Sequence, residues 1–319
     1  MSSTSRRAVI LGGTGAIGGA TAQRLAERGW SVDVTGRDSS GMPAELVELG
    51  VRFHAVDRTD TAGVSRLIGD GADLLVDLVA YTGVDVEALM PAMRNTTSIV
   101  IASSRAVYTD PAGNHINGDT PPRFPIPIPE SNSTLAPADD GTVPFSREDY
   151  APCKASVERA ALKSGLAVTI IRPSKVHGRW ARNARTQSIV EQMLSGVKKI
   201  ELANRGESVD HLTAAANAAA LIETVADSPG TRILNIADPD ALTATDIVAA
   251  IGDALGWTGN LVGLEPGVLG GKHPWNATYP IILDTRAATR LGYTAVAPGR
   301  ALIAEEALWV ASQFGQVLR

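Results

Sequence analysis

The hydrophobic positions in the first half of the chain form short continuous runs, and amphipathic stretches separate these runs. A run of about four to eight apolar residues is typical of a buried strand, whereas apolar residues at helical spacing indicate a helix. Strands are predicted at 8–11, 31–35, 51–56, 74–79, 98–102 and 167–171. Helices are predicted between them at 16–28, 44–49, 61–68, 84–93 and 147–162. This alternation predicts a parallel sheet with helices on both faces.

The pattern changes after Pro173. Helices are predicted at 186–194, 212–226, 245–255, 284–291 and 301–314, a strand is predicted at 232–237, and a Gly- and Pro-rich stretch covers 263–280. We therefore expect an α/β fold with a doubly wound parallel sheet over residues 1–172 and a smaller C-terminal lobe over residues 173–319. Some segments of that lobe are expected to return to the first domain.

A long proline-rich segment, residues 109–146, interrupts the first domain. Residues 121–129 read Pro-Pro-Arg-Phe-Pro-Ile-Pro-Ile-Pro. Proline removes backbone hydrogen-bond donors, so neither a helix nor a strand is expected there. A loop of this length in a compact domain is a lid, a binding loop or a disordered insert. The composition fits a functional segment as well as a disordered or merely structural one.

Composition and charge narrow the class of protein. The 319 residues carry a formal net charge of -5, which argues against a surface built for nucleic acid. Cys153 is the single cysteine, which excludes an intramolecular disulfide, and the five histidines lack the paired spacing of metal ligands. No apolar run approaches the roughly 18 residues of a membrane span. We expect a cytoplasmic protein with no metal and with neither a membrane nor a nucleic-acid partner.

A glycine-rich turn follows the first predicted strand and leads into the first predicted helix. Gly12, Gly15 and Gly18 are spaced by three residues. The first glycine permits a tight turn, the second allows a pyrophosphate to approach the backbone, and the third lets the helix pack closely. The strand before the turn and the helix after it predict the dinucleotide-binding unit of a Rossmann-type fold. The expected contacts come from the whole turn, namely Gly12, Thr14, Gly15, Ala16, Ile17 and Gly18.

The residues after the second strand bear on the choice of cofactor. An acidic side chain there would hold both ribose hydroxyls of NAD(H) and repel a 2′-phosphate. The sequence has Gly36 and Arg37 instead, and a guanidinium can pair with a phosphate. NADP(H) is therefore favoured, and NAD(H) stays possible. Asp57, after the third strand, is expected to hydrogen-bond the adenine amino group.

Tyr150 and Lys154 are four residues apart at the start of a predicted helix, so they share one face of it. An ammonium group near a phenol lowers the pKa of that phenol from about 10. Ser103 and Ser104 follow the strand at 98–102, at the sheet edge where open α/β folds bind ligands. A serine hydroxyl there is suited to hydrogen-bond a substrate carbonyl while Tyr150 transfers the proton.

These motifs together resemble the extended short-chain dehydrogenase/reductase superfamily, and specifically its NAD-dependent epimerase/dehydratase branch. The resemblance covers nearly the whole chain and rests on residues 12–18, 103–108, 150–154, 171–173, 235–238 and 284–293. It implies that Ser104, Tyr150 and Lys154 are the catalytic residues and that Tyr150 is the general acid/base. It also implies that Lys154 holds the nicotinamide ribose and lowers the tyrosine pKa, and that the backbone of Ala80 touches the cofactor ribose.

Departures from the family pattern favour one reaction over others. Many epimerases of this branch have an aspartate where Gly36 stands and keep NAD bound, so Gly36 and Arg37 favour a reductase that exchanges NADPH. No acidic residue follows Ser104, which disfavours dehydration. The alternatives are a sugar-nucleotide epimerase or dehydratase with bound NAD and, in another class, a non-catalytic dinucleotide sensor or an RNA-associated protein.

The substrate is expected to be a small molecule, and two residues after Pro173 are candidates to bind it. His177 replaces an aromatic residue of the family pattern, and Arg182 lies in a basic stretch at the expected mouth of the cleft. A cationic cluster there would suit an anionic substrate. The resemblance also suggests a homodimer.

Overall fold

The computed structural model describes residues 5–317 of the protein. The strands are β1 (Arg7–Leu11), β2 (Ser31–Gly36), β3 (Arg52–Ala55), β4 (Ala72–Asp77), β5 (Thr96–Ala102), β6 (Val168–Pro173), β7 (Lys175–His177), β8 (Lys199–Leu202), β9 (Leu212–Ala214), β10 (Arg232–Ile236) and β11 (Asn260–Gly263). The helices are α1 (Ala16–Glu27), α2 (Ala44–Glu48), α3 (Thr61–Ile68), α4 (Gly83–Met93), α5 (Tyr150–Lys163), α6 (Gln187–Leu194), α7 (Ala215–Ala226), α8 (Ala244–Leu255), α9 (Arg286–Arg290) and α10 (Gly299–Val317).

Seven parallel strands form the central sheet in the order β10-β6-β5-β4-β1-β2-β3. All seven correspond to strands predicted from the apolar runs, which confirms the doubly wound α/β fold. The chain starts in the middle of the sheet at β1, runs out to β3 at one edge, and then returns to β4 on the other side of β1. The loops after β1 and β4 therefore diverge, and such a switch point is where open α/β sheets bind ligands.

Two apolar layers cover the sheet. On one face α1 packs against α7, and on the other face α4 packs against α5. The helix α7 comes from the C-terminal half of the chain, and β10 adds a strand to the same sheet. Segments after Pro173 thus complete the sheet that the first half begins.

The remaining C-terminal elements form a separate apolar cluster. The helices α6, α8 and α10 pack together around Trp275, which is buried, while β8 pairs with β11. One sequence prediction is wrong here, because the predicted helix at 212–226 begins only at Ala215. Residues 212–214 instead pair with β7 as β9. Helical spacing within one segment carries no information on this pairing, because the partner strand lies more than 30 residues away in sequence.

The proline-rich segment 109–146 contains neither a helix nor a strand in the structure, as predicted. It is nevertheless packed, so the disordered alternative is wrong. Phe124 and Ile128 are buried beside Tyr108, Ile281 and Leu283, and the Ile128 amide donates to the Ile282 carbonyl at 2.7 Å. The prolines prevent regular backbone hydrogen bonding, and the segment packs through its apolar side chains instead.

Across residues 5–317, none of the helices combines the length and the apolar character needed to cross a membrane.

Candidate active site

The glycine turn lies between β1 and α1, where the sequence predicts it. Gly12 has a φ of +83°, which favours glycine, and a Cβ on Gly18 would lie 2.3 Å from the Gly12 carbonyl oxygen. Gly15 is the N-cap of α1, and no side chain caps the helix there. The amides of its first turn are thus free to bind an anion, and the helix dipole favours one.

A cavity of about 670 Å³ opens above this turn, at the carboxyl ends of the strands. Five of the residues predicted to bind the cofactor line it: Gly12, Thr14, Gly15, Arg37 and Asp57. The other predicted positions lie beside it rather than on its wall. Residues 16–18 form the first turn of α1, and Ala80 is buried with its carbonyl facing Lys154.

The cavity fits an extended dinucleotide on two grounds. Uncapped amides of α1 lie at one part of its wall, where a diphosphate would bind. Arg37 and Asp57 lie at the ends of β2 and β3, where a ribose and an adenine would extend. A Cβ on Gly36 would lie 2.9 Å from the Phe53 ring, so that position has no room for an acidic side chain unless Phe53 moves.

Tyr150 is the first residue of α5, and Ser104 follows β5, so the fold brings together two residues that are 46 positions apart in sequence. The Ser104 hydroxyl also accepts the Ala106 amide at 3.1 Å, which fixes its loop. Burial raises the pKa of Tyr150 above its ordinary value, and the nearby Ser104 side chain opposes that rise. The phenol is therefore protonated at neutral pH.

Lys154 lies one helical turn after Tyr150 and is only 2% exposed. Its Nζ donates to the Ala80 carbonyl at 2.6 Å and to the Ala102 carbonyl at 3.0 Å, so it joins the ends of β4 and β5. Burial lowers the pKa of Lys154 to about 8, although Asp77 and Asp85 oppose the shift. The charged and neutral forms are therefore close in free energy near physiological pH.

The structure does not show the predicted lowering of the tyrosine pKa by Lys154. The Lys154 Nζ is 6.0 Å from the Tyr150 ring centroid, and burial moves the pKa of Tyr150 upwards. The reason is that the lysine is engaged by two backbone carbonyls and is itself desolvated. The loss of solvent around the ring is the largest influence on the pKa of this phenol.

The two neighbouring serines have different environments. Ser103 is buried, and its hydroxyl donates to Glu158 at 2.5 Å. Glu158 in turn pairs with Arg172 at 2.6 Å. Ser103 therefore belongs to a buried network behind β5 and β6, whereas Ser104 faces Tyr150.

Of the two residues after Pro173 predicted to bind substrate, His177 is buried away from the cavity and Arg182 lines it. His177 is 2% exposed, and its Nε2 lies 2.8 Å from Asp238, so the ring is part of the interior. Arg182 is exposed but lies over the glycine turn, where its Nη2 donates to the Thr14 hydroxyl at 3.2 Å. Both predictions relied on position along the chain, which does not determine how the loop after β7 folds back.

Several residues of the cavity wall were not predicted. Arg58 and Asp77 form a buried ion pair at 2.7 Å, and Arg58 lines the cavity. Tyr81 and Phe145 also line it, and their rings meet edge to face with centroids 5.6 Å apart. The end of the proline-rich segment thus reaches the cavity. The one sequence signal for this was the length of that segment, which is typical of binding loops.

A buried ion cluster includes Arg105, the residue that follows Ser104 in the chain. Arg105 and Lys175 both pair with the carboxylate of Asp210, on opposite oxygens. Burial acts to raise the pKa of Asp210, but these two cations hold it below its ordinary value. Two cations thus share one buried carboxylate, and neither Arg105 nor Lys175 lines the cavity.

Comparison with known proteins places this geometry in a family. No curated protein sequence matches the chain. Three similar solved structures are the UDP-glucose 4-epimerase of Thermotoga maritima with UDP-glucose, the UDP-N-acetylglucosamine 4-epimerase of Methanobrevibacter ruminantium with UDP-N-acetylmuramic acid, and the dTDP-glucose 4,6-dehydratase of Bacillus anthracis with NAD. Their sequence identities are 18%, 18% and 16%, and their TM-scores are 0.71, 0.72 and 0.73.

These alignments cover 98%, 98% and 99% of this chain and all of each neighbour, so the likeness extends over the whole fold. At such low identity it concerns the fold alone. The sequence itself matches the model of the NAD dependent epimerase/dehydratase family over residues 8–237, well over half of the chain. The resemblance inferred from the motifs is confirmed, and the chain belongs to the NAD dependent epimerase/dehydratase family, whose members are enzymes of the short-chain dehydrogenase/reductase type.

Proposed function

We propose that the protein is an NAD(P)-dependent oxidoreductase that transfers a hydride between the nicotinamide and a carbonyl or alcohol carbon of a small anionic substrate. The observation that carries the proposal is the meeting of Ser104 and Tyr150, one helical turn from the buried Lys154. When bound, the cofactor supplies or accepts the hydride, and the residues of this chain manage the proton and the substrate.

Tyr150 is the proton donor in the reducing direction. Because its pKa is raised, the phenol carries its proton at neutral pH and can pass it to the carbonyl oxygen as the carbon gains the hydride. Ser104 orients that oxygen. This proton transfer completes the alcohol, and the phenolate left on Tyr150 then regains a proton from solvent.

NADP(H) is the favoured cofactor. Arg37 is exposed at the end of β2, where a 2′-phosphate would lie, and Gly36 offers no carboxylate to the ribose. Asp33, the one acidic residue of β2, is buried and already bonded to Arg52 and Arg7. The family name and the NAD complex of the dehydratase neighbour support NAD(H) as the alternative.

A sugar-nucleotide epimerase is the second candidate. Two of these structural neighbours hold UDP-linked sugars, and the model of the family to which the chain belongs is that of epimerases and dehydratases. Dehydration is less well supported, because an arginine occupies the place next to Ser104 and pairs with Asp210.

The intact Tyr150 and Lys154 argue against a non-catalytic sensor. The cytoplasmic location and the homodimer stay predictions.

Replacement of Tyr150 by phenylalanine tests the proposed reaction. We expect Tyr150→Phe to lower turnover by about 10²–10⁴-fold, the usual contribution of a general acid, with the cofactor Kd changed less than twofold. The assay is NADPH oxidation coupled to added carbonyl compounds. Tyr279→Phe is the matched control, since Tyr279 packs against Arg123 away from Ser104. Full activity of Tyr150→Phe would contradict the proposal, and cofactor that stays bound through purification would favour the epimerase.

A further inference from the structure

We propose that Arg182, a residue of the loop that follows β7, binds the cofactor and not the substrate: with Arg37 it holds the adenosine 2′-phosphate of NADP(H) from two sides. This inference rests on the cofactor preference proposed above. It extends that preference by making a loop after Pro173 part of the cofactor site.

The position of Arg182 is the first argument. Its Nη2 donates to the Thr14 hydroxyl at 3.2 Å, and a Cβ on Gly41 would lie 3.8 Å from the same Nη2 and 3.8 Å from that hydroxyl. The guanidinium therefore lies between the glycine turn and the short turn at residues 39–41 that follows β2. Arg182 and Arg37 line the same cavity although they come from distant segments of the chain.

The charge balance of the cavity is the second argument. Three arginines line it, and Arg58 is neutralised by Asp77. In the part of the chain that the structure describes, Arg37 and Arg182 have no carboxylate within 4.0 Å. Both nevertheless act on nearby carboxyls. Hydrogen bonds from Ser40 lower the pKa of Asp38 most, the charges of Arg182 and Arg37 lower it further, and Arg37 also lowers the pKa of Asp57.

Asp38 and Asp57 balance the charges of the two guanidinium groups at long range, but neither carboxylate forms an ion pair with them. The donors of both arginines therefore remain available to an anionic ligand. A phosphate provides several acceptor oxygens, and arginine is well suited to bind them with two donors each. The 2′-phosphate of NADP(H) is the anion expected at the end of the second strand.

The loop that carries Arg182 is fixed against the sheet domain. A Cβ on Gly19 of α1 would lie 2.5 Å from the Trp180 ring, so this ring packs directly on the helix backbone. Trp180 adopts a φ of +63°, a conformation that non-glycine residues rarely take. Arg179 pairs with Glu45 of α2 at 2.7 Å. These contacts hold residues 179–182 over α1 and α2, so Arg182 is positioned before any ligand binds.

The test measures the Kd of NADPH and of NADH, each by fluorescence titration, for the wild type, Arg182→Gln, Arg182→Lys and Arg37→Gln. Loss of one charge-assisted hydrogen bond is expected to weaken NADPH binding by about tenfold or more in Arg182→Gln, with NADH changed less than twofold. Arg182→Lys should retain part of the preference. Arg94→Gln is the control, because it removes an equal charge from an exposed position at the end of α4, outside the cavity.

The outcomes separate this inference from the function on which it rests. An equal loss for both cofactors would assign Arg182 to the diphosphate and overturn the inference, as would unchanged binding of both. A wild type that prefers NADH contradicts the cofactor preference itself. A wild type that prefers NADPH, with Arg182→Gln unchanged and Arg37→Gln impaired, contradicts the role of Arg182 alone.

Discussion

The two sides of the cleft are built from opposite kinds of groups. The side at the ends of β2 and β3, which we call the β2–β3 side, presents the exposed cations Arg37 and Arg182. The side at the end of β5 and the start of α5, the β5–α5 side, presents hydroxyls and one lysine that is 2% exposed. Exposed charged groups stay hydrated and lower the free energy of unfolding little. Buried polar and charged groups lose hydration, which shifts their pKa values and lowers the free energy of unfolding more.

From this difference we expect cofactor binding and chemistry to be separable in this protein. A change at the β2–β3 side is expected to alter cofactor affinity with little effect on the pH dependence. A change at the β5–α5 side is expected to alter turnover and the pH dependence with little effect on affinity. The buried ion pair of Arg58 and Asp77 is related to both sides. Arg58 lines the cavity, and Asp77 acts to raise the pKa of Lys154.

The largest effect on stability is expected from breaking that pair. Arg58→Met leaves the carboxylate of Asp77 buried without its partner, which costs about 3–5 kcal/mol of unfolding free energy. The double variant Arg58→Met with Asp77→Asn should recover most of this loss, since no uncompensated charge remains. Urea denaturation of the three proteins measures it. Equal stability of Arg58→Met and the wild type would show that the pair is not buried as described.

A smaller effect is expected from pH acting on Lys154. Its folded pKa of about 8 lies below its ordinary value of 10.5, so the unfolded chain binds more protons between these two pH values. Stability therefore rises with pH in this window, by roughly 2 kcal/mol between pH 8 and pH 10 from this group alone. Lys154→Met should lack that part of the rise. The same rise in both proteins, measured by urea unfolding at several pH values, would contradict the buried and partly neutral state of Lys154.

The smallest effect is expected where the proline-rich segment meets the cavity. Phe145→Ala removes the edge-to-face contact with Tyr81, and such contacts contribute about 0.5–1.5 kcal/mol. Because Phe145 is 77% exposed in this structure, its main role is expected when a cofactor is bound, with the Kd of NADPH raised about threefold. Val143→Ala, also exposed but outside the cavity wall, is the control. No change in Kd would limit this end of the segment to a structural role.

Much of the candidate site could be predicted because its parts are local. The glycine turn needs only a strand before it and a helix after it, and Tyr150 and Lys154 are one turn apart on the same helix. Ser104 follows a buried strand, and parallel strands bring their carboxyl ends to one edge. What could not be predicted was the balance of interactions at these residues. The pKa of Tyr150 depends on how much solvent the fold removes, and that is a sum over distant segments.

The sequence alone determined the seven strands of the parallel sheet, the turn at residues 12–18 and the chemical types at 104, 150 and 154. Those features depend on hydrophobic periodicity and on backbone geometry, which act over a few residues. Only the tertiary structure decided that His177 is buried against Asp238, that Arg182 lies over Thr14 and that residues 212–214 form a strand. In each case the deciding contact joins residues more than 30 positions apart, and no local pattern encodes where such a partner will lie.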